Sequence, residues 1–148
     1  MVQVVLPNDA NPLGYILGGT VMHLIDIAGA IACHRHTRSL LVTAAVDGLQ
    51  FLHPIKVGDL IILKACVTAV FRTSLEVEVE VYSECILTGD RKLTSLAYLT
   101  FVAIDHAGAH LPVPPLALQT DEDRRRAKEA EARRAARLQA RKRFRPDD

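Results

Sequence analysis

The chain has 148 residues, a net charge of +1 and 49% hydrophobic residues, enough for one domain with a sizeable core. No run of about 18 uninterrupted apolar residues occurs, so no transmembrane helix is expected, and residues 1–20 lack the basic start, apolar block and cleavage site of a secretory signal. Cys33, Cys66 and Cys85 are far apart and lack CxxC spacing, which favours free thiols in a reducing compartment, the cytoplasm, over disulfides or zinc. Charge is unevenly spread: residues 120–145 hold eleven bases and five acids, net +6, leaving −5 on the remainder.

In chain order, Val2–Leu6 reads as a short first strand, followed by a loop rich in Pro, Asn, Asp and Gly, "PNDANPLGYILGG". A helix is predicted from Gly19 or Thr20 to His36, with Thr20 as its N-cap. Its apolar residues cover nearly the whole circumference, the pattern of a helix surrounded by protein. In its middle, within "VMHLIDIAGAIA", stands Asp26.

The period then changes from helical to alternating. Val42–His53, Leu60–Phe71, Ser74–Ile86 and Lys92–Ile104 are four long strand candidates, joined by segments short enough for the hairpins of an antiparallel meander. In the third, Leu75, Val77, Val79 and Val81 alternate with Glu76, Glu78 and Glu80, which predicts one dry face and one wet face. Gly48, after Asp47, suggests a bulge or a close backbone approach. "HAGAHLPVPPLALQ" ends the sheet. The domain expected over 1–118 is followed by a charged tail, 119–148, predicted as a solvent-exposed helix that frays, with Thr120 as N-cap. One apolar helix and one antiparallel sheet make an α+β domain whose sheet curls round the helix. Such a sheet leaves a face and edges to cover, so pairing with a second copy is expected.

Read as chemistry, Asp26 is either a carboxylate that escapes to solvent or binds a neighbouring backbone group, or a catalytic acid. Asn11 in "DANPLG" suits a turn. Gly18 and Gly19 suit a flexible helix entry, but glycines at a helix N-terminus also leave backbone N–H groups bare to a ligand. Arg72, Thr73 and Ser74 form a basic, hydroxylic hairpin tip of a kind common on surfaces. His23, three residues before Asp26, could form a His–Asp pair across one turn, while Cys33, His34 and His36 lack the spacing of a metal set. Asp47 reads as a structural hydrogen-bonding group. The basic tail lacks the aromatic interleaving and reader motifs of a nucleic-acid binder.

"NDANPLGYILGGTVMHLIDIAGAIACHRH", "VTAAVDGLQFLHPIKVGDLI", "RTSLEVEVEVYSE" and "LTSLAYLTFVAIDHAGAHLPVP" together resemble the hotdog-fold acyl-CoA thioesterases, in the branch of the YciA-like enzymes and brain-type acyl-CoA hydrolase. The resemblance implies a five-stranded antiparallel sheet wrapped round one long helix, in dimers assembled as trimers of dimers (homohexamers). It implies hydrolysis of acyl-CoA to free acid and CoA, a step of lipid metabolism, with no metal or redox cofactor. Asp26 then activates water or attacks the thioester carbonyl, and Asn11, contributed by the opposite protomer, holds the water or the thioester. Amides near Gly19 and Thr20 form the oxyanion hole. Gly18 lets the ligand approach, and Arg72, Thr73 and Ser74 contact CoA, an arginine suiting phosphate by its forked geometry. Leu17 stands where many relatives have His or Phe, which argues against a His-dependent hydratase or dehydratase. A non-catalytic acyl-CoA binding or sensing module is the other alternative, and would not need both Asn11 and Asp26.

Overall fold

The computed structural model describes residues 1–144. In chain order these form β1 (Val2–Val4), a short 3-10 turn (Pro7–Asp9), α1 (Gly18–Thr37), β2 (Leu40–Phe51), β3 (Leu60–Val70), β4 (Ser74–Glu84), β5 (Arg91–Ile104) and α2 (Asp121–Phe144). The strands make one sheet in the order β1-β3-β4-β5-β2, and every neighbouring pair is antiparallel. The expected hairpins join β3 to β4 and β4 to β5. The segment "PIKVGD" is not a hairpin: β2 lies beyond β5, so the chain passes across the end of the sheet from one side to β3. There it holds the loop before α1, through Ile16 N–H donating to the Ile55 carbonyl (2.8 Å) and a bridge between Tyr15 and Lys56.

α1 packs on one face of the sheet. Val21, Leu24, Ile25 and Ala28 meet Leu75, Val77 and Val79 of β4 and Leu99 and Phe101 of β5 in a single buried cluster. Each such large side chain contributes roughly 1.5–3 kcal/mol when removed from water. The approach is close at Gly29, where a Cβ would lie 3.1 Å from a Val77 methyl, so the glycine sets the spacing of helix and sheet. Cys33 is fully buried in the same cluster, and burial pushes its thiol up to about 12, which makes it an inert packing residue. A single chain does not surround α1 as its composition leads one to expect. Met22, Ile27 and Ile31 remain exposed.

α1 starts one residue earlier than expected, and Thr20 is not its N-cap. The capping position is Leu17, which offers no side-chain acceptor. Its own amide is tied back to the Asp9 carbonyl (2.8 Å), so the loop rather than a polar cap fixes where the helix begins.

The largest departure is on the other face of the sheet. The Glu76–Glu80 face is not simply wet, since Glu76 is buried and Glu78 and Glu80 are half-buried, and the tail helix is docked rather than free. α2 is capped as expected: Asp123 N–H donates to Thr120 Oγ1 (3.0 Å), while Asp123 Oδ2 accepts from the Gln119 and Thr120 amides, a reciprocal cap. From there α2 crosses the outer face of the sheet, with Ala130 fully buried beneath it. Glu76 is only 1% exposed. It accepts from Thr68 Oγ1 (2.6 Å) and, in bidentate fashion, from Arg133 Nε and Nη2 (2.9 and 2.8 Å). The Arg133 guanidinium also stacks 3.6 Å above the Tyr98 ring. Further along, Arg137 donates to Asp47 Oδ2 (2.6 Å) on β2, the structural role expected of that aspartate. The expected irregularity beside it is present too: the ladder shifts between Asp47 and Gln50, and Gly48 has φ +60°. Alternation alone does not distinguish a face covered by water from one covered by a polar helix.

Two expectations follow from this face. Arg133→Ala strands the buried Glu76 carboxylate and should lower unfolding stability by about 3–5 kcal/mol in urea titration. Glu76→Leu combined with Arg133→Met should recover most of it, because an apolar pair of similar volume replaces the ions. Burial, reinforced by neighbouring Glu80 and opposed by Arg126, holds the Glu78 carboxyl above its ordinary value. Its charged form is therefore disfavoured by folding. Glu78→Gln should raise the Tm at pH 7, and thermal melts should show the gain vanishing as pH falls below the ordinary glutamate range.

Candidate active site

Asp26 faces β2. It is half-buried, and its Oδ1 accepts a 2.7 Å hydrogen bond from Thr43 Oγ1. The contact follows from periodicity: Thr43 points toward α1 on a strand whose residues Leu41 and Leu49 also pack inward. No other hydrogen bond reaches Asp26 among the described residues, so Oδ2 is open to a ligand. His23 is exposed and makes no bond to Asp26, so the His–Asp pair suggested by spacing is not formed. Thr43 is the residue that sequence reasoning missed. Its one signal was a hydroxyl at an inward position of a strand that must pass the middle of α1.

β2 is the last strand of the sheet, so its outer edge is unpaired over twelve residues. Leu40, Val42, Val46 and Phe51 on it are exposed. The carboxylate thus sits beside an open, apolar edge of the kind that pairs with another chain.

Asn11 is placed by a tight loop. Its Oδ1 accepts from the Leu13 and Tyr15 amides (3.0 and 3.2 Å), and its backbone pairs with Tyr15 and Gly14. With the oxygen engaged twice, the Nδ2 group is left to donate outward. A few residues on, the amides of Gly18, Gly19 and Thr20 open α1 and donate to no group among the described residues. These are the donors that a helix leaves bare at its start, at the positive end of its dipole. Beside them lies a cavity of about 280 Å³ walled by Ile16, Val21, Phe51, Leu52 and Ile55. The Phe51 ring lies over Gly18, 3.5 Å from where a Cβ would stand.

One chain does not bring these groups together. Asp26 is eight residues beyond Gly18, about 12 Å along the helix. It does not line the cavity at the helix start, and it makes no hydrogen bond to Asn11. Arg72, Thr73 and Ser74 lie elsewhere, at the β3–β4 turn, where the carbonyls of Arg72 and Thr73 accept from Val113 and Ala103 (both 3.0 Å). The Arg72 side chain is exposed and makes no ion pair among the described residues. His34 and His36 donate to the Ser39 and Pro114 carbonyls (both 2.9 Å), which accounts for them as structural groups at the end of α1.

Comparison with known proteins fits this arrangement. Residues 13–88 match the Thioesterase superfamily. An uncharacterized acyl-CoA thioester hydrolase of Bacillus subtilis, YkhA, is 40% identical over 119 residues, covering 80% of this chain and 69% of that protein. The mouse cytosolic acyl coenzyme A thioester hydrolase is 34% identical over 148 residues, 94% of this chain but only 39% of that longer enzyme. Among solved structures, an apo-hexameric acyl-CoA thioesterase superposes with a TM-score of 0.90 at 41% identity, covering 95% of this chain and 90% of the other. The acyl-CoA hydrolase of Staphylococcus aureus, solved with butyryl coenzyme A and coenzyme A, superposes at 0.86 with 32% identity, over 97% and 90% of the chains. The chain therefore belongs to the thioesterase superfamily, with the hotdog fold. The Staphylococcus aureus enzyme has also been solved with an asparagine, an aspartate or a threonine replaced by alanine, each numbered 17 above Asn11, Asp26 and Thr43. The two spacings, 15 and 17 residues, are therefore the same in both chains.

Proposed function

We propose that this protein is an acyl-CoA thioesterase whose sites form between two copies of the chain. The observation that carries this reading is the Asp26–Thr43 pair at an unpaired strand edge, with the same Asn–Asp–Thr spacing as in the coenzyme A-binding relative. Antiparallel pairing of β2 with its copy covers the edge and the exposed residues along it. It also carries the Asn11 loop and the bare amides of one protomer toward Asp26 of the other. A two-fold makes two equal sites, and three such dimers make the hexamer, a state shared with the hexameric relative.

In the reaction, Thr43 holds Oδ1 of Asp26, and Oδ2 takes a proton from water as the hydroxyl oxygen adds to the thioester carbonyl carbon. The Gly19 and Thr20 amides stabilise the oxyanion. Asn11 Nδ2 orients the water or the carbonyl, and Gly18 keeps the entry clear. When the intermediate collapses, the C–S bond breaks and the proton passes to the departing CoA sulfur. Water, a carboxylate and amides suffice for this chemistry, and no metal or redox cofactor enters it. Direct attack by Asp26 would use the same groups, with water arriving in a second step. The acyl chain occupies the apolar cavity under Phe51. Arg72, with Thr73 and Ser74, meets the CoA phosphates. The working compartment is the cytoplasm, and no described helix is long and apolar enough to cross a membrane.

Purified protein should release free thiol from acyl-CoA. A binding or sensing module would instead hold acyl-CoA intact over the same assay. Asp26→Ala should lower kcat by at least about 100-fold, and equal activity of the two proteins across a chain-length panel would defeat the enzyme reading. Thr43→Val keeps the shape and loses the bond to the carboxylate. It should lower kcat by about 10–100-fold, the rate equivalent of a charged hydrogen bond, with the Tm little changed. Asn11→Ala and Asp26→Ala proteins, each inactive, should regain roughly a quarter of wild-type activity when unfolded and refolded together. Half of the dimers are then mixed, and each mixed dimer has one intact site. No recovery would place both residues in one chain's site.

A further inference from the structure

α2 does not end where the sheet ends. Its sheet-facing stripe is Arg126, Ala130, Arg133 and Arg137, at helical spacings of four, three and four residues. Ala127 shares a cavity wall with Val70 and Phe71 at the β3 side, and Arg137 bonds Asp47 on β2. Ten residues of helix span about 15 Å, which matches the three strand spacings of about 4.8 Å from β3 to β2. The helix runs on for seven residues past Arg137, about 10 Å or two further strand spacings, and no described strand of this chain lies beneath it. On this overhang the same stripe continues as Arg141 and Phe144, and Phe144 is 86% exposed. An aromatic ring at an inward-facing position beyond the edge of a sheet is a contact without its partner.

We infer that the last two turns of α2, Leu138–Phe144, clasp the outer face of a second copy of this chain across the β2 edge. The inference rests on the pairing of β2 proposed above. That pairing puts β2 and then β5 of the second copy under the overhang, continuous with the surface α2 already covers. Of the outer-face acids, Asp47 alone lies on the two strands the overhang would reach, and it is already paired with Arg137 of its own chain. Glu76, Glu78 and Glu80 lie one strand further on β4, so the contact of Phe144 carries the clasp and Arg141, Lys142 and Arg143 flank it. Val42, outward on β2 because Thr43 points inward, supplies exposed apolar surface beside the seam. The two-fold makes the contact reciprocal, so each tail helix braces the seam strand of the other protomer.

The test is photo-crosslinking of the full-length protein with benzoylphenylalanine in place of Phe144, together with sedimentation. The expected product is a covalent dimer whose cross-linked peptide comes from β2 or β5 of the other chain. Phe144→Ser combined with Arg141→Glu should raise the concentration at which the assembly dissociates by about tenfold or more, with the far-ultraviolet circular dichroism of the wild type. Cross-links confined to one chain, in an assembly that Phe144→Ser and Arg141→Glu leave equally tight, would overturn the clasp alone. A wild-type protein that sediments as a monomer, or an assembly indifferent to Val46→Lys on β2, would overturn the seam on which the clasp rests.

Discussion

A sheet one layer thick has two faces and two edges, and each must be covered by something. α1 covers one face so closely that a Cβ at position 29 would crowd Val77. α2 covers the other, drawn by a carboxylate that cannot stay buried without its arginine. β1 shortens one edge to three residues of pairing. What is left is β2, twelve residues long and open. The proposed assembly and the proposed completion of the site both turn on that uncovered strand.

The position of Asp26 becomes intelligible on these terms. A carboxylate in an apolar helix is costly when buried without a partner, and here it is neither solvated like a surface group nor sealed in the core. It stands at the margin, hydrogen-bonded by Thr43 from the open strand. The same margin explains why the site is incomplete in one chain. The acid lies near the middle of α1, and the bare amides lie at its start, too far apart to serve one carbonyl. Rigid elements hold both, so in the proposed dimer a second copy rather than a local rearrangement brings them together.

The outer face carries a different lesson about charge. Glu76, Glu78 and Glu80 alternate with valines as a solvated face would, and the tail has the composition of a solvated helix. Each is the other's solvent. Arg133 and Arg137 reach down to Glu76 and Asp47, and the Arg133 guanidinium stacks on the Tyr98 ring as it does so. Two polar surfaces therefore bury one another with few apolar residues between them, and neither segment carries a mark of this in its own pattern.

The sequence by itself determined the element types, because hydrophobic period is a local property: 3.6 residues in α1, two in β2 to β5. It determined the Thr120 cap of α2, though not the start of α1, and it marked Asp26 as out of keeping with its apolar helix, while Asn11 and the glycine pair suited a turn and a helix entry. Their family resemblance carried the fold and the chemistry. Only the tertiary structure decided strand order, the crossing of "PIKVGD", the docking of α2, and the meeting of Thr43 with Asp26. Each of these joins residues far apart in the chain, from 17 positions for Thr43 and Asp26 to 90 for Arg137 and Asp47. Such pairings are set by which surfaces remain uncovered after the helices have packed, and that quantity belongs to the whole fold rather than to any stretch of it.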